Sequence, residues 1–397
     1  MCMGSGDRII LHADMNNYFA TVEEKYDPKL RDIPFAVCGD PQMRHSIVMA
    51  KNSLAKKYGV ISGISFSQAK KLCPNLQYVK ADYGKYLSET KAAREIYKKY
   101  TEKIIPYGLD EAWLDMTDTG ADIDEAKQIA DIIRYEIYYS RELSASVGIG
   151  DNLIFAKLGS DYKKPNATTL ITRNNYKELV WPLPAKDLLF VGERRNKLLA
   201  GFGINTIGDI ALAEEKMLKR LLGKVGGDLK SFANGDDRSF HPENDTVKSV
   251  GNTITSPKDI ENTADALALI YLLSNAVAIR LKKHALAALT VSVIFKDNKF
   301  IGFTRSFTSK IPVSSGEEIF ITAKELLLKH YKWECSLRSL GIRAENLIDN
   351  KFTQLSFFAN DSESEIYLSK EMELAVNQLK YRVGELSLEK TSMIGEY

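Results

Sequence analysis

Cysteine is scarce. Cys2, Cys38, Cys73 and Cys335 are the only four in 397 residues, and they lie far apart, which excludes a clustered zinc ligand set and gives no disulfide framework. No apolar run in the sequence reads as the roughly 20 residues needed to cross a bilayer, so no membrane partner is expected. Residues 1–8 are polar and Gly-rich and lack a signal-peptide core, so a cytoplasmic protein is expected. Net charge is also small, with 54 Lys and Arg against 52 Asp and Glu for a total of +2. Total charge therefore does not announce a nucleic-acid partner. What remains is an ordinary globular composition, 44% hydrophobic and 27% charged, in a chain longer than one hydrophobic core usually serves. Two or more domains are expected.

The apolar run of residues 8–14 predicts a buried strand, followed by a helix over 19–26. Strands are predicted over 33–39 and 46–51, and helices over 52–58, 65–72 and 83–100. A strand over 109–117, a helix over 123–139, a strand over 144–150, a helix over 152–161 and a strand over 167–171 complete an α/β or α+β core. Residues 173–240 carry short helical stretches broken by Gly192, Gly201, Gly203, Gly208 and Gly226-Gly227. A polar linker containing Pro242 is predicted over 236–249. Residues 250–350 then read strand, helix, strand, strand, helix, strand. The tail holds one helical segment, 366–382, with Leu368, Met372, Ala375, Val376 and Leu379 near helical spacing.

Local charge is uneven. Residues 248–310 hold 9 basic and 4 acidic side chains, residues 150–200 hold 9 and 5, and the tail from Ala359 holds 4 and 8. Two basic stretches offset by an acidic tail suit a polyanion, and also suit an ordinary solvated surface.

Asp14 ends an apolar strand, and Asp110-Glu111 precedes the apolar Ala112-Trp113-Leu114. Carboxylates at one rim of a sheet are how a protein holds hard divalent cations such as Mg²⁺, and two such ions can serve phosphoryl chemistry. Adjacent residues of a regular strand point to opposite faces, so Asp110 and Glu111 share a site only if the chain turns there. Pro106 and Gly108 make room for that turn. The same acids also fit a plain role as surface caps on strand ends.

The segments His12-Ala-Asp-Met-Asn-Asn-Tyr-Phe-Ala-Thr-Val-Glu23 and Gly108-Leu-Asp-Glu-Ala-Trp-Leu-Asp115 resemble the two metal-binding signatures of Y-family, translesion DNA polymerases. Val147-Gly-Ile-Gly-Asp-Asn through Lys164-Pro-Asn166 resembles that family's strand, helix and turn. Phe202-Gly-Ile-Asn-Thr-Ile-Gly208 resembles its thumb helix–hairpin–helix, and Gln354-Leu-Ser-Phe-Phe358 the peptide by which bacterial members bind the sliding clamp. The resemblance spans roughly residues 8–382 and is nearest to the DNA polymerase IV and UmuC-like branches.

The resemblance implies an α+β, multidomain right hand. The ferredoxin-like palm would be residues 1–20 and 81–172, the fingers 21–80, the helical thumb 173–240 and the α/β little finger 241–350, with a tail over 351–397. It implies two Mg²⁺ ions on Asp14, Asp110, Glu111 and the Met15 carbonyl, with those three acids catalytic. It further implies triphosphate contacts from Asn17, Tyr18, Phe19, Ser53, Lys56 and Lys164, a steric gate at Phe19, and clamp contacts from Gln354, Leu355, Phe357 and Phe358. Primer–template DNA, a dNTP and a sliding clamp are the implied partners of a monomer. Lys157 and Asp161 are expected to serve packing or local charge balance.

The chain also departs from the pattern. Ser53 and Lys56 stand where a Tyr and an Arg are usual, and Lys lacks the bidentate fork of Arg. Ala50 stands for Thr, Gly108 for Ser and Asn16 for an acid, and Gly192-Glu-Arg194 stands where a Gly-hydrophobe-Gly hairpin is expected. A template-directed, low-fidelity polymerase of damage bypass is the expected activity. The alternative is a catalytically weak DNA- or clamp-binding protein that keeps the fold.

Overall fold

The computed structural model describes residues 8–39, 46–242 and 247–350. The chain divides into two compact units between residues 245 and 246, inside the stretch read as a linker. In chain order the first unit opens with β1 (Ile10–Met15), α1 (Tyr18–Tyr26), β2 (Phe35–Cys38), β3 (Val48–Lys51), α2 (Ser53–Lys57), α3 (Phe66–Leu72), β4 (Gln77–Lys80) and α4 (Tyr83–Tyr97). It continues with β5 (Ile104–Tyr107), β6 (Glu111–Asp115), α5 (Ile123–Arg141), β7 (Ala145–Gly150), α6 (Leu153–Tyr162) and β8 (Thr168–Ile171). Five short helices follow, α7 (Tyr176–Leu179), α8 (Glu193–Ala200), α9 (Ile207–Leu212), α10 (Glu215–Leu222) and α11 (Lys224–Ala233).

The main sheet has the order β5-β6-β1-β7-β8, with β1 at its centre and antiparallel to both neighbours. All six residues of β1 are buried, because helices cover both faces of the sheet and a strand in that position reads as a continuous apolar run. Strand alternation sorts its side chains. Leu11, Ala13 and Met15 join the core that includes Ala130, Ile133 and Ile137 of α5. Ile10 faces the other way, toward Leu153 and Ala156 of α6 and Trp113 of β6. A second, three-stranded sheet of order β3-β2-β4 packs with its own small core of Val48, Ala55, Val60, Ala69 and Leu76. Strands β4 and β5 are additions to the sequence reading. Both lie at sheet edges, where a short strand carries little hydrophobic alternation, and β5 contains Pro106, which is tolerated at an edge and masks the pattern.

The helices after β8 enclose a core of Ile154, Phe155, Leu188, Leu199, Ile207, Ile210, Leu218 and Phe232. Arg8 grips Asp237 at 2.9 and 3.0 Å, and Asp237 Oδ2 accepts the Leu153 amide at 2.9 Å. The end of this helical segment is thereby tied to the start of α6. In the turn before α8, Phe190 takes φ 71°, a left-handed conformation uncommon for an aromatic residue. Gly192 is instead the extended N-cap of α8.

The second unit runs β9 (Ser249–Ile260), α12 (Thr263–Lys283), β10 (Leu286–Asp297), β11 (Gly302–Val313), α13 (Gly316–His330) and β12 (Leu337–Asp349), in the order expected. Its four strands are all antiparallel, ordered β11-β10-β12-β9. Helix α12 corrects one expectation, since by length and composition it is apolar enough to cross a membrane. Asp265, Ser274 and Asn275 interrupt it and hide this from a run-by-run reading. In the fold, its Ala266, Ile270, Leu273, Val277 and Leu281 belong to the core beneath the sheet. The proposed clamp residues Gln354, Leu355, Phe357 and Phe358, and the 366–382 segment, lie outside the described residues.

Candidate active site

The parity that buries Ile10 toward α6 sends His12 and Asp14 the same way. Cross-strand register places Asp14 opposite Glu111 of β6, and His12 opposite Trp113. The turn required for Asp110 is present. Residues 108–110 connect β5 and β6, with Gly108 at φ 80°, a conformation that glycine adopts freely and the usual serine would not. The Asp110 carbonyl accepts the Met15 amide at 3.0 Å, so the backbones of Met15 and Asp110 lie side by side.

Helix α6 closes over this acidic rim because two glycines, Gly148 of β7 and Gly159 of the helix itself, allow it. A Cβ on Gly148 of β7 would sit 1.8 Å from the Ala156 carbonyl oxygen and 2.3 Å from the Ser160 amide. That close seat presents one stripe of α6, Lys157, Ser160 and Asp161, and then Lys164 in the turn beyond. Lys164 Nζ lies 2.6 Å from Asp14 Oδ2 and 2.7 Å from Asp161 Oδ1. Lys157 Nζ pairs with Glu111 Oε2 and rests 5.5 Å from the centre of the Tyr107 ring. His12, fully buried, holds Ser160 Oγ through Nδ1 at 2.8 Å. Its Nε2 is 3.2 Å from Glu111 Oε2, too poorly aligned for a full hydrogen bond but close enough to favour charge on that carboxylate.

The two facing acids have opposite electrostatics. Burial raises the Asp14 pKa to about 6, and the pull of Lys164 only partly offsets it. For Glu111, burial is outweighed by His12 and Lys157, which bring its pKa down to about 2. Burial, with Glu111 beside it, also raises Asp110. Burial lowers the His12 pKa to about 4, so that ring is neutral at pH 7. Burial works against the Lys164 ammonium, but Asp14 and Asp161 outweigh it and raise its pKa. Among the described residues no three His, Cys, Asp or Glu side chains form a finished metal cluster, and Asp14 and Glu111 face lysines instead.

Helix α1 begins where β1 ends. Asn17 caps it at φ 48°, a left-handed conformation that Asn tolerates better than most residues. The first amides of a helix have no intrahelical acceptor, which leaves those at the start of α1 available to an anion. The Tyr18 side chain turns inward, its hydroxyl 2.6 Å from the Tyr86 carbonyl and 2.9 Å from Thr90 Oγ1, so only its backbone faces the site. Phe19 stacks on Tyr86 with centroids 4.5 Å apart. Tyr86 is fixed in turn, donating its hydroxyl to the buried Glu23 at 2.7 Å.

Asp14, Asp110, Glu111, Met15 and Lys164 thus meet at one strand-end rim of the main sheet. Ser53 and Lys56 lie exposed on α2, beside the smaller sheet. Asn16 is no ligand: buried, it bonds Ser144 Oγ at 3.2 Å and accepts from Ser146 Oγ at 3.0 Å. The charge that Lys157 and Asp161 balance is that of the site itself, which the sequence reading missed along with His12. The signals were available: His12 shares strand parity with Asp14, and positions 157, 161 and 164 share a helical face.

The impB/mucB/samB family matches residues 13–161, and its C-terminal domain matches residues 247–357. DNA polymerase IV of Acetivibrio thermocellus is 43% identical over 358 residues, 89% of this chain and 90% of its own length. DNA polymerase IV 1 of Bacillus subtilis is 34% identical over 364 residues, 90% of this chain and 87% of its own. Among solved structures, the Y-family DNA polymerase chimera Dbh-Dpo4(243-245)-Dbh shares the fold with a TM-score of 0.76 at 23% identity, covering 86% of this chain and 100% of its own. With relatives matched along nine-tenths of its length and the expected fold in place, the chain belongs to the Y family of DNA polymerases and is a DNA-directed DNA polymerase of the translesion type.

Proposed function

We propose that Asp14, Asp110 and Glu111, with the Met15 carbonyl, hold two Mg²⁺ ions for nucleotidyl transfer. The donor set fits: all are hard oxygen ligands, and two of the three carboxylates, the buried Asp14 and the half-buried Asp110, are desolvated at a cost that nearby lysines do not fully offset. When bound, the ions supply activation of the attacking hydroxyl and neutralisation of charge on the departing pyrophosphate. The reaction is in-line attack of a primer 3′-hydroxyl on the α-phosphorus of a dNTP, with pyrophosphate leaving.

The chain's own groups position the nucleotide. The amides of Asn17, Tyr18 and Phe19 at the start of α1 and the Lys164 ammonium receive the triphosphate, as helix N-termini and lysines do. Ser53 and Lys56 approach it from α2. The Phe19 ring, held against Tyr86, occupies the space of a ribose 2′-hydroxyl and offers it no hydrogen-bond partner, which excludes ribonucleotides. The enzyme works as a cytoplasmic monomer, and Gln354, Leu355, Phe357 and Phe358 anchor it to a sliding clamp.

The observation that carries this reading is the convergence of Asp14, remote in sequence, with Asp110 and Glu111 at one strand-end rim of the sheet beneath a lysine-bearing helix. Primer extension with Mg²⁺ and single dNTPs tests it. Wild type should extend and Glu111→Ala should not, and extension surviving in that variant would remove Glu111 from the chemistry.

A further inference from the structure

Two lysines serve the acids, and they are held differently. Lys157 is within α6, its side chain 15% exposed, lying against Tyr107 on a helix seated glycine-to-backbone on β7. It is largely enclosed beside Glu111. Lys164 lies beyond the end of α6, its side chain 33% exposed, and it bridges two carboxylates. Of the two, Asp14 is nearly enclosed at 7% side-chain exposure, whereas Asp161 is 47% exposed. Lys164 can therefore release Asp14, keep Asp161 and turn outward.

An ammonium 2.6 Å from Asp14 Oδ2 occupies the space that a divalent cation needs on that oxygen, at about 2.0–2.1 Å for Mg²⁺. Like charges so close repel strongly. Sharing Oδ2 is therefore unfavourable for both. We propose that Lys164 is an exchangeable counter-ion: in the nucleotide-free enzyme it caps Asp14 and opposes cation binding there, and a triphosphate that draws it away opens Asp14 to the cation. This rests on the metal-carboxylate reading above. Linkage makes the effect reciprocal, because a triphosphate that draws Lys164 from Asp14 tightens cation binding by the same factor by which the cation tightens triphosphate binding. The site is thus biased against filling with metal alone, and nucleotide and cation enter together.

The test is binding of Mn²⁺ alone, without DNA or nucleotide, to the full-length protein, read as loss of the free-ion electron paramagnetic resonance signal. Lys164→Met should bind Mn²⁺ at least about fivefold more tightly than wild type, the low end of measured couplings. Lys164→Arg keeps the charge and should stay near wild type. Lys164→Gln provides a second neutral side chain should the Met variant fold poorly. Affinity unchanged or lower in both neutral variants overturns the proposal, as does an equal gain in Lys164→Arg. Asp14→Asn and Glu111→Gln form a separate arm. If neither weakens Mn²⁺ binding to the Lys164→Met protein, the metal-carboxylate reading fails, whatever Lys164 does.

Discussion

Asp14→Asn should make the metal-free protein more stable at neutral pH, although it removes a proposed catalytic acid. A carboxyl whose pKa is about 6 in the folded chain, against an ordinary 3.8, holds its proton more tightly folded than unfolded between those values. Stability therefore falls as pH rises through the window from about 4 to 6, and the penalty is constant above it. Two pKa units correspond to roughly 3 kcal/mol as a ceiling, and residual structure in the unfolded chain lowers this, so a gain of about 1–3 kcal/mol is expected. Lys164 keeps Asp161 as a partner in the variant, so no buried ammonium is stranded.

The assay is urea unfolding in chelator at pH 7.5 and again near pH 4, comparing the same transition in both proteins because two units need not unfold together. The variant should lead at pH 7.5 and the difference should shrink near pH 4. Equal or lower stability of Asp14→Asn at pH 7.5 would refute the electrostatic account of Asp14. Glu111→Gln supplies the opposite sign. Its folded pKa near 2 against an ordinary 4.5 means stability present above about 4.5 and lost as pH falls toward 2, so the amide should destabilise at pH 7.5. Its ceiling is also roughly 3 kcal/mol, and it leaves Lys157 with no carboxylate at Glu111.

Phe19→Ala should admit ribonucleotides, measured as the ratio of rNTP to dNTP incorporation, and an unchanged ratio would dismiss the gate. Gly148→Ala puts a methyl 1.8 Å from the Ala156 carbonyl and should cost about 3 kcal/mol or more by overpacking, with loss of extension as α6 shifts. A variant as thermally stable as wild type would show that α6 has freedom the packing denies it. Replacing Gln354 and Leu355 with Ala should abolish stimulation by a sliding clamp while leaving unstimulated extension intact, and full stimulation of the double variant would dismiss the anchor peptide.

Several features were decided locally and so were legible in the linear chain. The run Ile10-Leu-His-Ala-Asp-Met15 is apolar enough to be a central strand whatever surrounds it. Gly108 before Asp110-Glu111 signals a turn by its own conformational freedom, and the alternation from residue 250 onward sets the βαββαβ order of the second unit. Asp14, Asp110 and Glu111 stood out as candidates by their place at strand ends, and it was the resemblance of two whole segments to family signatures, rather than type and spacing, that singled them out from surface caps.

Tertiary structure alone decided which charge meets which. Asp14 is buried and Glu111 half-buried, and both are penalised by desolvation, yet one ends with a pKa near 6 and the other near 2. The difference lies in strand register, which sets His12 beside Glu111, and in the close seat of α6 on Gly148, which delivers Lys157 to one acid and Lys164 to the other. Spacing along a chain selects a face. It takes the packing of one face on another to set the few ångströms over which Coulomb energies in a desolvated site change.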